Sequence, residues 1–355
     1  MLLLGKNPNV FQRKHMQKKL INLKSLQILR AIAALSVVYY HINAAPHFGK
    51  FGVDIFFIIS GFVMSMIIEN GQKPYTFVVN RITRIVPLYW VLTLCLFILS
   101  AIKPDLLDTT TANILNFLKS IFFVPYFKES GQLHPMLVVG WTLNYEMFFY
   151  FCLWFSIIVM TTRKIYVLIT IFLLTIFFLL ADNYLINPVL KSFFNNSIIF
   201  EFILGMLAFK IYKIRLMKKI NNVVLLISSI LSYFFMAYYE VIGTDIARVF
   251  IYGIPSLILI LSVTALEETK FMENNSLTKI LALIGNGSYA IYLSHLYVVL
   301  AIQRIGHEKL NLMDPTTPLG VAVTLFFSII VGHILYTHVD KPLSGYFRKK
   351  LTKID

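Results

Sequence analysis

The first long apolar segment contains two ionisable side chains, Arg30 and His41. Eleven residues of helix are close to three turns, so both side chains lie on one face, about 16 Å apart along the axis. Ionisable groups inside a bilayer are costly and are often functional. We interpret Arg30 as an anion-binding cation and His41 as a general base. A snorkelling arginine and a structural histidine hydrogen bond would explain the same residues.

Carboxylates in two later apolar segments are candidate partners of this histidine. Asp54 begins the second segment and Glu146 lies in the fourth. Either carboxylate could orient the imidazole of His41 and stabilise its charged form, and the sequence does not choose between them. Asp54 could instead cap its own helix. Ser60 is a candidate nucleophile or oxyanion donor, although small residues in spans usually allow close helix packing.

Five ionisable side chains from five segments fall at a similar inferred depth in the membrane. This agreement predicts one polar chamber that opens outward, although a proton or ion pathway would produce the same pattern. The five are His41, Asp54, Glu146, Glu201 and His295. The residues predicted to line the substrate part of the chamber are Ser60, Tyr145, Glu201, Tyr292 and His295.

Arg81 and Arg84 stand three residues apart where the third apolar segment begins. Two guanidinium groups on one helix face match a phosphate-rich ligand. Ordinary positive charges at the cytoplasmic interface are the alternative.

Composition dictates which elements must position these residues. Of the 355 residues, 58% are apolar and 14% are charged, and the mean hydropathy is +0.74. Such a chain cannot cover a water-facing surface, so we predict an all-α polytopic membrane protein with about ten transmembrane helices. A further apolar stretch, 114–127, predicts a short interfacial or re-entrant helix. The ten segments are 27–45, 50–70, 84–102, 139–161, 165–181, 194–213, 221–240, 248–266, 280–303 and 319–338.

The basic residues predict the orientation of these helices. With the N-terminus inside, cytoplasmic segments contain 23 Lys and Arg residues and outer segments contain 8. This asymmetry predicts cytoplasmic termini and a multi-pass protein of the inner (plasma) membrane. The predicted units are a basic cytoplasmic segment (1–26), a membrane domain (27–340) and a basic cytoplasmic tail (341–355). The net charge of +15 is divided among short clusters, which argues against nucleic-acid binding.

The other polar or reactive residues give weaker indications of function. Cys95 and Cys152 lie within apolar runs, which argues against a disulfide framework. The Gly285-Asn286-Gly287 sequence is a weak match to a phosphate loop. We interpret Asp340 as part of a helix-terminal cap and stop, and expect no metal site.

The ordered motifs resemble acyltransferase family 3, integral membrane proteins that modify bacterial surface glycans. The resemblance covers about residues 25–345. Members of the family's exopolysaccharide-type branch are similar in size to this chain. The motifs are Leu29-Arg30-Ala31 with His41, Phe51-Gly52-Val53-Asp54 continuing to Ser60-Gly61-Phe62, Arg81-x-x-Arg84 before Pro87-Leu88-Tyr89-Trp90, Trp141-Thr142-Leu143-x-x-Glu146, Glu201-Phe202-x-x-Gly205 and Gly285-x-x-Ser288-Tyr289-x-Ile291-Tyr292-Leu293-x-His295.

The resemblance implies acyl-CoA, often acetyl-CoA, as donor substrate, with no permanently bound cofactor. It implies essential roles for Arg30 and His41 and contact of Arg81 and Arg84 with the donor's phosphates. The expected partners are acyl-CoA, a glycan or lipid-linked sugar acceptor, the lipid bilayer and polysaccharide assembly proteins, without nucleic acid. A transporter or flippase for a lipid-linked glycan or acyl group could use the same chamber without chemistry.

Overall fold

The computed structural model describes residues 23–107, 110–159, 165–269, 272 and 275–352. Throughout these ranges the regular elements are helices and no strand occurs, which confirms the all-α prediction. Most of the predicted basic segment 1–26 lies outside the described residues. The same holds for the end of the predicted tail and for three of the counted cytoplasmic charges, Arg163, Lys164 and Lys270.

Fourteen α-helices occur in the described part of the chain. They are α1 (Lys24–Ile42), α2 (Gly52–Glu69), α3 (Pro74–Ile102), α4 (Ile114–Ile121), α5 (Trp141–Val159), α6 (Tyr166–Tyr184), α7 (Pro188–Phe194), α8 (Ile199–Lys213), α9 (Asn222–Ile242), α10 (Ile254–Ala265), α11 (Ser276–Asn286), α12 (Ser288–Leu300), α13 (Pro318–Leu335) and α14 (Lys341–Leu351). Three π-helical segments adjoin them, π1 (Val249–Gly253), π2 (Ala301–Lys309) and π3 (Tyr336–Asp340).

Helices occupy all ten segments predicted to span the membrane. Seven described helical segments are long and apolar enough to cross it, and Tyr166–Asp182 and Val249–Ala265 are apolar but shorter. The chain is therefore a multi-pass membrane protein, while the count of ten and the cytoplasmic termini stay predictions. In the predicted span 280–303 the α-helix is interrupted at Gly287, between α11 and α12.

A short helix, α4, occupies the start of the predicted interfacial stretch. The side chain of Asn113 caps it by accepting hydrogen bonds from the backbone N–H groups of Leu115 and Asn116. Trp90 and Tyr89 of α3 donate hydrogen bonds to the carbonyl oxygens of Ile121 and Ser120. α4 is therefore fixed against α3.

Two glycines allow α2 and α8 to cross with their backbones in contact. A Cβ atom at Gly61 would lie 2.2 Å from the carbonyl oxygen of Phe202, and one at Gly205 would lie 2.1 Å from that of Ile58. Glycine at membrane helix crossings permits this approach. The close crossing sets the position of both helices, which carry several candidate residues.

Gly285 has a similar packing role between α11 and α1. A Cβ atom there would lie 1.9 Å from the carbonyl oxygen of Gln27. The glycine that weakly matched a phosphate loop therefore lets α11 lie directly against α1. This contact supports α1 one turn before Arg30.

Candidate active site

A cavity of about 270 Å³ lies between α1, α2, α3, α5, α12 and α14. Among the described residues that line it, four are arginines and one is a carboxylate, so its wall carries excess positive charge. This charge favours an anionic ligand with several phosphates. The polar lining residues are Gln27, Arg30, Ser60, Arg81, Arg84, Thr142, Glu146, Tyr150, Ser288, Tyr289, Tyr292 and Arg348.

Two of the arginines have donor atoms without partners. The Nε atoms of Arg30 and Arg81 are buried and make no hydrogen bond with any described residue. The guanidinium of Arg81 lies 5.9 Å from the ring centre of Tyr150. A buried donor without a partner costs free energy, so these atoms are suited to a ligand that supplies oxygen acceptors. Arg30, Arg81 and Arg84 converge on one cavity, as required of a shared ligand site.

Arg84, the third arginine, has a fixed counter-ion. Its Nη1 lies 2.6 Å from Oδ2 of the fully buried Asp340, whose Oδ1 accepts a hydrogen bond of 3.3 Å from Ser344. The ring of Tyr289 lies 4.9 Å from the guanidinium carbon of Arg84. The prediction of a helix-terminal cap and stop at Asp340 is wrong, because the helix continues into α14 and the carboxylate pairs with Arg84 instead.

Glu146 lies in this cavity. Its Oε1 accepts a hydrogen bond of 3.1 Å from Ser60 and another from the hydroxyl of Tyr150. It also attracts the buried guanidinium of Arg30. Glu146, one of the two carboxylates predicted to orient His41, therefore bonds to residues of the cavity wall instead.

The ring of His41 meets a second histidine from α12. His41 lies in the last turn of α1, and its Nδ1 is 2.9 Å from the carbonyl oxygen of Val37 and 3.2 Å from Nε2 of His295. Nδ1 of the fully buried His295 lies 2.6 Å from the carbonyl oxygen of Tyr292. The structure therefore places His295, rather than Asp54 or Glu146, beside His41.

These contacts assign the tautomers of both rings. Carbonyl oxygens only accept hydrogen bonds, so Nδ1 of each histidine carries a proton and donates it. The single Nδ1 proton of His41 is then shared between two acceptors, the carbonyl oxygen of Val37 and Nε2 of His295. Nε2 of His41 keeps its lone pair, and that half-buried ring can accept a proton.

Tyr292 separates the histidine pair from the cavity. It lines the cavity, and its hydroxyl donates a hydrogen bond of 3.1 Å to the carbonyl oxygen of Val139 and lies 3.0 Å from Oγ1 of Thr142. Its ring centre is 6.0 Å from that of His295. Tyr292 therefore lies between the cavity and His295, which in turn contacts His41.

The connection between α4 and α5 adds two further groups near the histidines. Burial, Lys128 and His41 lower the pKa of His134, because each disfavours a second positive charge. Burial also lowers the pKa of Lys128 to about 8, and its Nζ donates a hydrogen bond of 2.7 Å to Thr110. Sequence analysis did not select His134. The signal available was a histidine seven residues before the Trp141 motif.

Asp54 and Glu201 form a separate buried cluster with Arg248. Two nitrogens of Arg248 lie 2.8 and 2.6 Å from the carboxylate oxygens of Asp54, and its Nε lies 3.7 Å from Oε1 of Glu201. Both carboxylate side chains are fully buried. Pairing with Arg248 places these carboxylates outside the wall of the arginine cavity, and the predicted common chamber stays a prediction. Sequence analysis counted Arg248 only as an outer charge.

Tyr145 also lies outside the cavity wall. Its ring stacks on that of Phe193 with the centres 4.3 Å apart, and it contacts Phe57 and Trp141 edge-on. Aromatic packing directs the Tyr145 ring toward α7, and its predicted place in a substrate chamber stays a prediction.

Comparison with known proteins identifies the class of this site. Residues 23–338 match a family described as an acyltransferase domain. The chain belongs to this acyltransferase family. The match spans α1 to π3 and includes the cavity arginines of α1 and α3 together with both histidines. The chain is therefore a multi-pass membrane acyltransferase.

The chain is similar in sequence to two named proteins. The chain is 28% identical over 312 residues to the exopolysaccharide production protein ExoZ of Rhizobium meliloti, covering 83% of this chain and 89% of ExoZ. It is 30% identical over 144 residues to the peptidoglycan O-acetyltransferase OatA of Listeria monocytogenes, covering 36% of this chain and 22% of OatA. No solved structure matches the chain.

Proposed function

We propose that the chain moves an acyl group, in the first instance acetyl, from cytoplasmic acyl-CoA to a hydroxyl of a cell-surface or lipid-linked glycan. The observation that carries this proposal is the arginine-rich cavity whose lining residue Tyr292 lies against His295, the partner of His41. The names of the two relatives, an exopolysaccharide production protein and a peptidoglycan O-acetyltransferase, support a glycan acceptor. The positive-inside asymmetry supports the plasma membrane, with polysaccharide assembly proteins as expected partners.

The arginines would bind the donor by its phosphates. Arg30 and Arg81 offer unpaired Nε donors, and Arg84 is held in place by Asp340. With the phosphates bound at the cytoplasmic end, the pantetheine arm would extend through the cavity toward Tyr292. The thioester would then approach His41 from the inside, while the acceptor hydroxyl would approach its half-buried ring from the outside.

His41 would act as the general base. Its Nε2 takes the proton of the acceptor hydroxyl, and the oxygen attacks the thioester carbonyl to form a tetrahedral intermediate. The carbon–sulfur bond then breaks, the acyl group stays on the acceptor oxygen, and the CoA sulfur leaves with the proton from His41. Ser60 or Ser288 in the cavity wall could donate a hydrogen bond to the oxyanion.

His295 would hold His41 in the reactive tautomer. Its Nε2 accepts the Nδ1 proton of His41 at 3.2 Å, which directs the lone pair of the opposite nitrogen toward the acceptor. A neutral histidine would thus fill the role for which Asp54 or Glu146 was predicted. The catalytic roles predicted for the two carboxylates stay untested predictions.

The test compares His41→Ala with wild type at matched membrane levels. Loss of a general base costs about 10²- to 10⁴-fold in rate, so acyl groups on the purified surface glycan should nearly disappear by mass spectrometry and NMR. His333→Ala, at an exposed histidine of α13, is the matched control and should retain acylation. Undiminished acylation in His41→Ala would refute the role of this histidine.

Proteoliposomes distinguish transfer from transport. Supplied with radiolabelled acetyl-CoA on the cytoplasmic side and with extracted glycan, the wild-type protein should form covalent acetyl–glycan and release free CoA. Movement of glycan across the membrane without either product would favour a transporter and contradict the proposed reaction.

A further inference from the structure

A fourth arginine reaches the cavity from the C-terminal helix. Arg348 lies on α14, beyond the residues that match the acyltransferase family, and it lines the cavity together with Arg81 and Arg84. Unlike those half-buried residues, Arg348 is exposed. It therefore stands at the open end of the cavity. Sequence analysis had placed it in a cytoplasmic tail without a binding role.

Contacts at both ends of α14 hold Arg348 in this position. At the start of the helix, Asp340 pairs with Arg84 at 2.6 Å. At its end, the hydroxyl of Tyr75 donates a hydrogen bond of 2.9 Å to the carbonyl oxygen of Leu351. The helix is thus joined to α3, the element that carries two of the other arginines.

The positions of the arginines leave like charges facing one another. Arg81 and Arg84 both act electrostatically on Arg348, and Arg84 acts in the same way on Arg30. Asp340 and Glu146 offset two of the four positive charges. An anion bound between the remaining charges would relieve this repulsion, and an arginine fork can hold a phosphate through two hydrogen bonds.

We propose that Arg348 binds the terminal phosphate monoester of the donor, the 3′-phosphate of acyl-CoA. This inference rests on the proposed function. The 3′-phosphate lies on the nucleotide end of the donor, far from the thioester. When the thioester points toward His41, this phosphate should therefore meet Arg348 at the open end of the cavity. The diphosphate then lies deeper, among Arg81, Arg84 and Arg30. A phosphate monoester carries about −1.5 to −2 charges at pH 7, which makes it a strong ligand for an exposed arginine.

The experiment compares two donors, acetyl-CoA and 3′-dephospho-acetyl-CoA, using the full chain in membrane vesicles with glycan acceptor. Wild type should have a higher kcat/KM with acetyl-CoA. Arg348→Ala should lower that kcat/KM about ten-fold through KM, the loss expected for a hydrogen bond to a charged group, and leave the dephospho donor unchanged. Arg348→Lys should restore part of the preference. The neighbouring exposed Lys349→Ala is the charge-matched control and should behave as wild type.

The outcomes separate this inference from the proposed function. If wild type uses acetyl-CoA but Arg348→Ala weakens both donors equally, or neither, the phosphate assignment is refuted and the proposed function stands. If wild type transfers nothing from either donor, the proposed function and the assignment fail together. If the Arg348→Ala variant does not accumulate in the membrane, the preference for acetyl-CoA over the dephospho donor is measured with Arg348→Lys and Arg348→Gln instead.

Discussion

The chemistry of His41 depends on which ring nitrogen carries the proton. The carbonyl oxygens of Val37 and Tyr292 determine this for His41 and His295, because each oxygen requires a donor at the Nδ1 atom beside it. The residue with the free lone pair is then the half-buried one, while its fully buried partner serves as acceptor. In the proposed reaction, His295 is thus a positioning residue rather than a second base.

At this residue scale, we predict that His295→Leu lowers kcat about ten-fold or more and leaves KM for acetyl-CoA unchanged. The reason is that leucine removes the contact with His295 that positions the His41 ring, although the Val37 carbonyl still accepts the Nδ1 proton, while the arginine cavity stays intact. His295→Gln offers a side-chain oxygen acceptor and should recover part of kcat. Steady-state kinetics at matched protein levels checks this. A raised KM with normal kcat would assign His295 to substrate binding instead.

The cluster of Asp54, Glu201 and Arg248 leads to a second residue-scale prediction. Removing one partner of a buried ion pair typically costs about 3–5 kcal/mol, so Asp54→Asn should lower the melting temperature and the amount of protein in the membrane. Asp54→Asn/Arg248→Gln should be less destabilised than the sum of the single variants, because no unpaired arginine remains.

Asp245→Asn, at an exposed aspartate near Arg248 in sequence, is the control for this experiment. Thermal unfolding in detergent gives the stabilities. If Asp54→Asn melts like wild type yet transfers no acyl group, the ion pair is not its main role, and the predicted catalytic role of Asp54 gains support.

At the scale of elements, the crossing of α2 and α8 depends on two glycines. We predict that Gly205→Ala destabilises the protein by about 1–3 kcal/mol or more, because its Cβ would lie 2.1 Å from the backbone oxygen of Ile58 and rigid backbone must move. Thermal unfolding and membrane yield measure the effect.

Gly345→Ala is the matched helix control. A Cβ atom there meets no described atom within 4 Å, and alanine favours a helix over glycine by about 1 kcal/mol. That variant should be as stable as wild type or more so. Equal loss in both variants would show that close approach of the backbones is not what Gly205 provides.

At the scale of the whole molecule, the arginine cavity and the histidine pair lie on either side of Tyr292. Their assignment to the cytoplasm and the outside depends on the orientation predicted from 23 inner and 8 outer basic residues. Seven predicted spans separate residue 132 from residue 350, so these positions should lie on opposite faces of the membrane.

We predict that a membrane-impermeant thiol reagent labels Gln132→Cys in intact spheroplasts and labels Lys350→Cys only after permeabilisation. Both variants are made in a Cys95→Ala/Cys152→Ala background, and both substituted side chains are exposed. Labelling of both sites from the same side would contradict the predicted number of spans. The reverse labelling pattern would show that the protein has the opposite orientation in the membrane, with the cavity arginines on the outer side.

The sequence by itself determined that this chain is helical and crosses a membrane several times, and it selected Arg30, Arg81 and Arg84, which the structure brings to one cavity. Span length and the cost of charges in lipid act locally along the chain, so hydropathy and charge reveal them. It also selected both histidines, because an imidazole in an apolar run is conspicuous.

Only the tertiary structure decided which of these groups are partners. The sequence assigned five ionisable groups to one chamber by depth alone, but depth contains no information about rotation around the helix axes. The rotations pair Asp54 with Arg248, direct Glu146 into the cavity and place His295 beside His41. Long-range pairings such as Arg84 with Asp340 depend on how distant helices pack, and no local pattern in the sequence encodes them.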